Sequence, residues 1–483
     1  MLVPSLSVKH AGVQPLSISD FSAGLRLDIA ANSDKFLPNM LQKAVNVELD
    51  YVTGKLKVVD GLVPVVKLPA TADTLFYNYK DNYFLTNCGR SLYRMNGNLS
   101  PKTEPVLVGQ LNSIKRPSYV VYGAYTAVVS GSKVQYLDYS NKFKTAAASP
   151  VADMCYVRSG RLGICNTGTD IINWCGVGDI ENWNFATDNA QNAWYAEVGY
   201  QDGGGIVAVK ELFGNIVVIK RSGKTFRLTG DYYWQAYDGP NGVYTVGQNG
   251  VIFAGNGLYY IGKDGFSAIA FNSGEYGTLR SSEVGSAVNQ LLLQGVSQNA
   301  KLWDVQPKKQ IWIRADEMGT TYLFHYFSGA FTVRKFSQPI ADVCLVGNTV
   351  YVLAGDTIYR LDENADTEVS GNPIKIDVEG KLYTTLNQFL IKRLAASVDA
   401  RGDVDATVQI GKLELPVRYA SHSPYVAECN EYLADADYPL WTLTRLSPEA
   451  KRQTYRTKEF TVKITSNKGA FSLNNIKMEV VEV

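Results

Sequence analysis

Histidine is nearly missing from this chain: three occur among 483 residues, His10, His325 and His422. Catalysis built on a Ser-His-Asp or Cys-His arrangement therefore has little material, and His325 falls in the strand-like run TYLFHYF, where a half-buried alternating position accounts for it. Cysteine is as sparse, with six spread along the chain. That excludes a disulfide framework and fits folding in a reducing cytoplasm. Charge of one sign is not in excess, since 47 Lys and Arg against 46 Asp and Glu leave a net +1. A protein that grips nucleic acid over a broad face is normally more basic, so only a local patch stays open. No apolar run reaches the ~18 residues of a membrane-spanning helix. The opening MLVPSLSVKHAG has no basic segment leading into an apolar one, so no secretory signal is expected.

What is abundant is glycine, 42 residues, and tyrosine, 30, a composition that leans towards a turn-rich β protein. The stretch Gly203–Phe271 holds the repeating unit. Its first half, GGGIVAVKELFGNIVVIKRSGKTFRLTGD, has strand-length runs at Ile206–Val209, Ile216–Lys220 and Thr225–Leu228, cut by Phe213-Gly214-Asn215 and Ser222-Gly223. Its second half repeats the plan at Val251–Ala254, Leu258–Ile261 and Phe266–Phe271, cut by Gly255-Asn256-Gly257 and Lys263-Asp264-Gly265. Asn-Gly and Asp-Gly reach the positive φ that tight hairpin turns demand. Each half reads as a three-stranded meander that cannot bury both faces alone.

Similar hairpin cores begin at Tyr83, Tyr125, Arg161, Asn215, Gly250, Gln310 and Asn348. Their spacing scatters around the ~40–50 residues of a propeller blade. The expectation is an all-β chain: a β-propeller of six to eight blades over 71–366, an N-terminal arm over 1–70 and a C-terminal β domain over 367–483. The two non-repeat pieces are expected to form a platform together. A helix at Pro38–Val45 is expected in the arm. Within the propeller, Ser281–Leu293 is read as an inserted helix, with Val284, Ala287, Val288, Leu291 and Leu292 on one stripe and Ser281 or Ser282 as its cap. Beyond the propeller, strands are expected at Ile374–Val378, Phe389–Val398, Val404–Ile410, Tyr455–Ile464 and Ile476–Val483, with an irregular aromatic stretch between that carries Tyr425, Tyr432, Tyr438 and Trp441.

Candidate chemistry is thin. Cys155, Cys165 and Cys175 sit ten residues apart in one blade, but without knuckle spacing or a nearby His they read as small buried hydrophobes, and no zinc is expected. Asp362, Asn364 and Asp366 imitate the start of a calcium loop, yet Thr367 stands where the glycine belongs and Pro373 where the bidentate Glu belongs. An acidic linker is the better reading. Gly203-Gly204-Gly205 precedes a strand, the wrong context for a phosphate-cradling loop. Arg401-Gly402-Asp403 reads as a polar hairpin turn between two strands. Asp179, Glu181, Asp202 and Asp304 are available carboxylates, but nothing places two of them at a hydrolytic separation. In CGVGDIENWN, Trp183 is expected to pack between blades.

Several stretches together resemble the tail nozzle, or packaged-DNA stabilisation, proteins of short-tailed bacteriophages. The lead-in FSAGLRLDIAANSDKFLPNMLQKAVNVELDYVTGKLKVVDGL resembles their opening, IINWCGVGDIENWN a blade segment ending in Gly-Asp-x-x-x-Trp, and VAVKELFGNIVVIKRSGKTFRLTGD the segment after it. GNGLYYIGKDG and TTYLFHYFSGAFTVRKF complete the order, so the resemblance spans roughly residues 15–340. It implies a non-enzymatic structural virion protein without cofactor. Six copies would form a ring below the portal-adaptor, contacting the adaptor, tail fibres or spikes, and a plug or needle. The ring would sit in the virion tail after assembly in the host cytoplasm, hold the packaged double-stranded DNA in, and let it pass without sequence-specific binding. Phe21, Leu25, Phe36, Leu37 and Asn46 of the lead-in are the residues it offers as an assembly interface. The competing expectations are a propeller that binds or degrades glycans, for which Tyr232, Tyr233 and Trp234 are available, or another tail-tip or baseplate protein.

Overall fold

The computed structural model describes residues 14–50, 52–186, 188–229, 235–271, 278–315, 319–410, 413–419, 444–446 and 455–482. The chain divides into two compact units. One comprises Leu62–Tyr322 and Phe336–Leu361; the other comprises Met1–Gly61, Leu323–Lys335 and Asp362–Val483.

The repeating hairpins form a β-propeller of seven four-stranded blades. Six blades are continuous in sequence, the first five running from Thr74 to Gln110, Ser118 to Thr145, Met154 to Glu197, Ile206 to Asp238 and Val251 to Glu283. The sixth takes Lys301–Val305, Gln310–Arg314, Thr320–His325 and Ala330–Lys335. The seventh takes Ile340–Val346, Thr349–Ala354 and Thr357–Asp362, and its fourth strand is Gly61–Lys67 from the start of the chain. Residues expected in the arm therefore close the propeller. A ring joined through such a mixed blade leaves no unpaired strand at the seam, the weak point of any closed sheet assembly.

The meanders have four strands, not three. Thr225–Thr229 pairs with Gln235–Asp238, and Gly265–Phe271 with Leu279–Glu283. The second addition corrects the helix expected over 281–293: Ser281 and Ser282 pair with Ile269 and Ala268, and the helix is only Asn289–Gly295, with Val288 as an N-cap that makes no side-chain bond. Completing the blade satisfies a row of backbone groups on Gly265–Phe271, which outweighs the weak helical tendency of two serines. Ala287, Val288 and Leu292 are buried as the stripe required, whereas Leu291 is exposed. The glycine turns behave as read: Gly255 takes φ 54° between Val251–Ala254 and Gly257–Gly262.

Neighbouring blades share their cores. Trp174, Ile172 and Cys165 of the third blade pack with Ile206, Val218 and Leu228 of the fourth. Val207, Val217 and Ile219 of the fourth pack with Val251, Leu258 and Ile269 of the fifth. The seam blade is tied to the first in the same way, through Val65, Leu353 and Ile358 against Leu75, Phe84 and Met95. Fully burying one such aliphatic side chain contributes roughly 1.5–3 kcal/mol, so each blade depends on the next.

The second unit centres on two long strands, Ile376–Ile410 and Tyr455–Glu482, paired antiparallel with several register shifts. The short strands expected there merge into these two. Arg401-Gly402-Asp403 is not a turn between strands, because it lies inside the first of them at a shift between the pairs Arg401–Ala470 and Asp405–Lys468. The arm supplies further strands to the same sheet. Gln14–Ile18 and Leu56–Val58 pair with Tyr455–Glu482, while Lys43–Val45 pairs with Asp377–Glu379 and lies parallel to Val333. The helix expected at Pro38–Val45 is instead two short strands, Met40–Leu41 and Lys43–Val45. Pairing with Gly24–Leu25 and Asp377–Glu379 captures that segment in extended form.

Candidate functional site

The first strands of neighbouring blades lie side by side at five junctions, from the second blade round to the sixth and between the seventh and the first, and side-chain contacts complete an inner ring. Stacking of Phe76 on Tyr119, with ring centroids 5.2 Å apart, joins blades one and two, and a hydrogen bond from Trp303 Nε1 to Asp342 Oδ1 at 2.8 Å joins six and seven. Two adjoining cavities share Arg116, Asn249 and Lys301 in their walls, one of about 200 Å³ among these first strands and one of about 600 Å³ where the strands begin.

Their charged lining is uneven: the cations Arg116, Lys210, Lys301 and Arg314 face only two carboxylates, Asp73 and Asp342. Asp342 is already saturated. It accepts from the Leu75 N–H at 2.8 Å, from Trp303 and from its neighbour's Val343 N–H at 3.1 Å, and it pairs with the Arg116 guanidinium at 2.9 Å. Arg116 also donates to the carbonyls of Asp73 and Ala341. Arg314 is buried and donates to the carbonyls of Ile340 and, at 3.2 Å, Asn299. The two lysines are less committed. Lys301 donates to the Ala341 carbonyl at 3.0 Å, and the Lys210 ammonium has no hydrogen-bond or ion-pair partner among the described residues. Burial pushes Lys301 down to about 7, with Arg116 and Arg314 adding repulsion, and burial pushes Lys210 down to about 8.

None of these cations stood out in the sequence. They are contributed by blades two, four and six and are far apart in the chain, each within or beside an apolar run. A Lys inside IVAVKEL and an Arg closing IWIR were the available signals.

The residues that did stand out are mostly structural. His325 is buried, its Nε2 3.0 Å from Thr332 Oγ1. Cys155 and Cys165 lie in adjacent strands and Cys175 just beyond the next, all buried as free thiols. Gly203-Gly204-Gly205 links the third blade to the fourth, and a Cβ on Gly205 would meet the Gly168 carbonyl carbon at 2.0 Å. Trp183 is buried between the second and third blades and donates to the Ile180 carbonyl at 2.8 Å. The carboxylates are dispersed. Asp179 caps its own turn through the Glu181 N–H, Glu181 accepts from Tyr136 at 2.5 Å, and Asp202 pairs with Lys224. Asp304 lies in the sixth blade beside Gln306, and burial pushes its carboxyl up to about 6 against the hydrogen bond from Gln306. Asp362 accepts from the Asn364 N–H, a turn contact, and Asp366 accepts through its carbonyl from Ile374. Among the described residues no three His, Cys, Asp or Glu converge as a metal site, and no helix is long and apolar enough to cross a membrane. Tyr232, Tyr233, Trp234, His10 and His422 lie outside the described residues, as do Tyr425, Tyr432, Tyr438 and Trp441.

The lead-in residues offered as an assembly interface divide by their exposure. Phe21, Leu25, Phe36 and Asn46 are buried within the chain's own second unit, at 3%, 3%, 0% and 4% exposure, and only Leu37, at 50%, presents a surface. Apolar spacing in a short-stranded segment marks core as readily as interface.

No protein-family model and no curated protein sequence matches the chain. Among solved structures it is similar to PorZ, a bacterial surface component of the type-IX secretion system of Porphyromonas gingivalis, at 12% identity over 74% of this chain with a TM-score of 0.40. The chain spans 46% of that PorZ chain. It is similar to BamB from Moraxella catarrhalis at 11% identity over 73% of this chain and 98% of that one, with a TM-score of 0.39. The WD40 β-propeller domain of Doa1 matches at 10% identity over 62% of this chain and 96% of that one, with a TM-score of 0.39.

Proposed function

We propose that this chain is a structural virion protein, the nozzle subunit of a short-tailed bacteriophage. In this reading it assembles as a six-fold ring below the portal-adaptor, retains packaged DNA and releases it on infection. The observation that carries the reading is the run of matching segments along residues 15–340, from the lead-in through the blades. A second support is the use of the ionisable groups named above: His325, Glu181, Asp202 and Asp342 each serve a contact that holds blades or strands together. The near-neutral charge of +1 suits a wall that DNA must slide past, because each phosphate contact would add salt-dependent affinity. The adaptor, the fibres or spikes and the plug are the partners this reading supplies.

The test is the mass and symmetry of the purified full-length protein, alone and added to DNA-filled particles that lack it. A six-fold ring, or monomers that assemble only on such particles and stop genome leakage, supports the nozzle. A stable monomer that ignores the particles overturns it and turns attention to glycan binding.

A further inference from the structure

We propose that the cavity inside the propeller's inner ring binds a small phosphate-bearing anion, held by Lys301, Lys210 and Arg116. The inference stands apart from the nozzle reading.

The protein leaves charge in these cavities unneutralised. Four cations and two carboxylates line the two cavities. Asp342 has its oxygens filled by Leu75, Trp303, Val343 and Arg116, so it has little left for a lysine. Asp73 accepts from Asn87 Nδ2 at 3.3 Å. Taking like charges out of water is costly unless a counter-charge arrives, and lysines held in a cleft with lowered basicity mark binding sites more often than chance placement does. The chain keeps Lys210 in an apolar strand beside Val209, and Lys301 with a single backbone acceptor, where uncharged residues would pack at lower cost. The two guanidiniums are anchored by carbonyls and by Asp342, which fixes the wall. The ammoniums, as compact point charges with free donors, are what a phosphate group accepts from. The cavity that all three line has a volume of about 200 Å³ and adjoins one of about 600 Å³, room for pyrophosphate but not for a duplex.

Protonation of the lysines couples binding to pH. The charged groups facing Lys301 are Arg116, Arg314, Asp73 and Asp342, and Lys210 lines the inner cavity. Raising the pH from about 7 to about 9 discharges the lysines while a phosphate anion only gains charge, so weaker binding at the higher pH reports on the protein.

The experiment is calorimetric titration of the full-length protein with pyrophosphate at about pH 7 and about pH 9, with sulfate at matched ionic strength as the ionic control. It is repeated on Lys301→Met, Lys210→Met and the surface control Lys102→Met. The expected result is saturable binding of about one pyrophosphate per chain, weakened by about tenfold or more at the higher pH and in each cavity variant, and unchanged in the control. Both cavity variants lose a half-buried cation, so their melting temperatures are expected to stay level or rise, which separates lost binding from lost folding. Absence of saturable binding at millimolar pyrophosphate overturns the proposal. So does equal binding by sulfate or by both cavity variants.

Discussion

Asn46 Oδ1 accepts a hydrogen bond at 2.7 Å from the backbone N–H of Lys335, 289 residues further along the chain. The other end of the same amide donates to the Lys375 carbonyl at 2.8 Å, and the Asn46 backbone donates to Val333 at 2.7 Å and accepts from Val59 at 3.2 Å. One residue thus fastens the arm to two distant segments of the second unit. It does so from the left-handed region, at φ 58°, which Asn tolerates better than most side chains. Asn46→Ala loses the side-chain bonds and adds backbone strain, at a cost of about 2–4 kcal/mol. Asn46→Gly loses the same bonds without the strain and should be milder by about 1 kcal/mol. Denaturant unfolding followed by a probe in the second unit measures both. Equal stability of Asn46→Ala and the parent would show that the bracket is idle.

Lys220 makes a different kind of joint. Its ammonium is fully buried, pairs with Asp170 Oδ1 at 2.8 Å and donates to the carbonyls of Val198 at 3.0 Å and Gly199. Asp170 and Val198 flank strands of the third blade, while Lys220 ends a strand of the fourth. Lys220→Met leaves those acceptors unpaired and should cost about 3 kcal/mol. Adding Asp170→Asn removes the stranded charge and should recover part of the loss. A double variant no better than the single, in thermal melts, would place the cost in the carbonyls.

The propeller was legible because the information is local: glycine-marked turns, from Gly89 and Gly123 to Gly329 and Gly355, and two-residue alternation recur from blade to blade. What escaped was whatever depended on distant partners. Gly61–Lys67 reads like any strand of the arm, and only the unpaired edge of Thr357–Asp362 makes it a blade strand. Ser281 has a cap's chemistry, but the open edge of Gly265–Phe271 claims it for the sheet. The same holds for the cavity. Arg116, Lys210, Lys301 and Arg314 meet only when the ring closes, and no spacing in the sequence records that closure.

Asp304 gives a pH signature. Burial raises its carboxyl to about 6, against an ordinary value near 4 in the unfolded chain. Between those values the folded protein holds the proton more tightly than the unfolded one, so stability falls as pH rises from about 4 to about 6 and levels off above. Asp304→Asn removes the ionisation. It should therefore be more stable than the parent at pH 7, by up to about 2 kcal/mol, and the gap should close towards pH 4. Paired melts across that window check the prediction, and a gap independent of pH would rule out ionisation as its source.

The buried thiols give the last. Burial pushes Cys155 and Cys165 up to about 12 and raises Cys175 as well. For Cys155 and Cys165 at pH 8 the thiolate, the reacting species, is then a fraction of about one in ten thousand before steric exclusion is counted. Cys88 is also raised but only half-buried, at the end of the first blade's second strand. Under native conditions a thiol reagent should modify Cys88 well before these three, and they should react only as denaturant opens the third blade. Because their cores are shared with the second and fourth blades, through Cys155 with Tyr136 and Cys165 with Val218, the three should be released together. Mass spectrometry of the labelled peptides along a denaturant series follows each cysteine. Cys175 reacting far ahead of Cys165 would mean that the blades open one at a time instead of as a shared core.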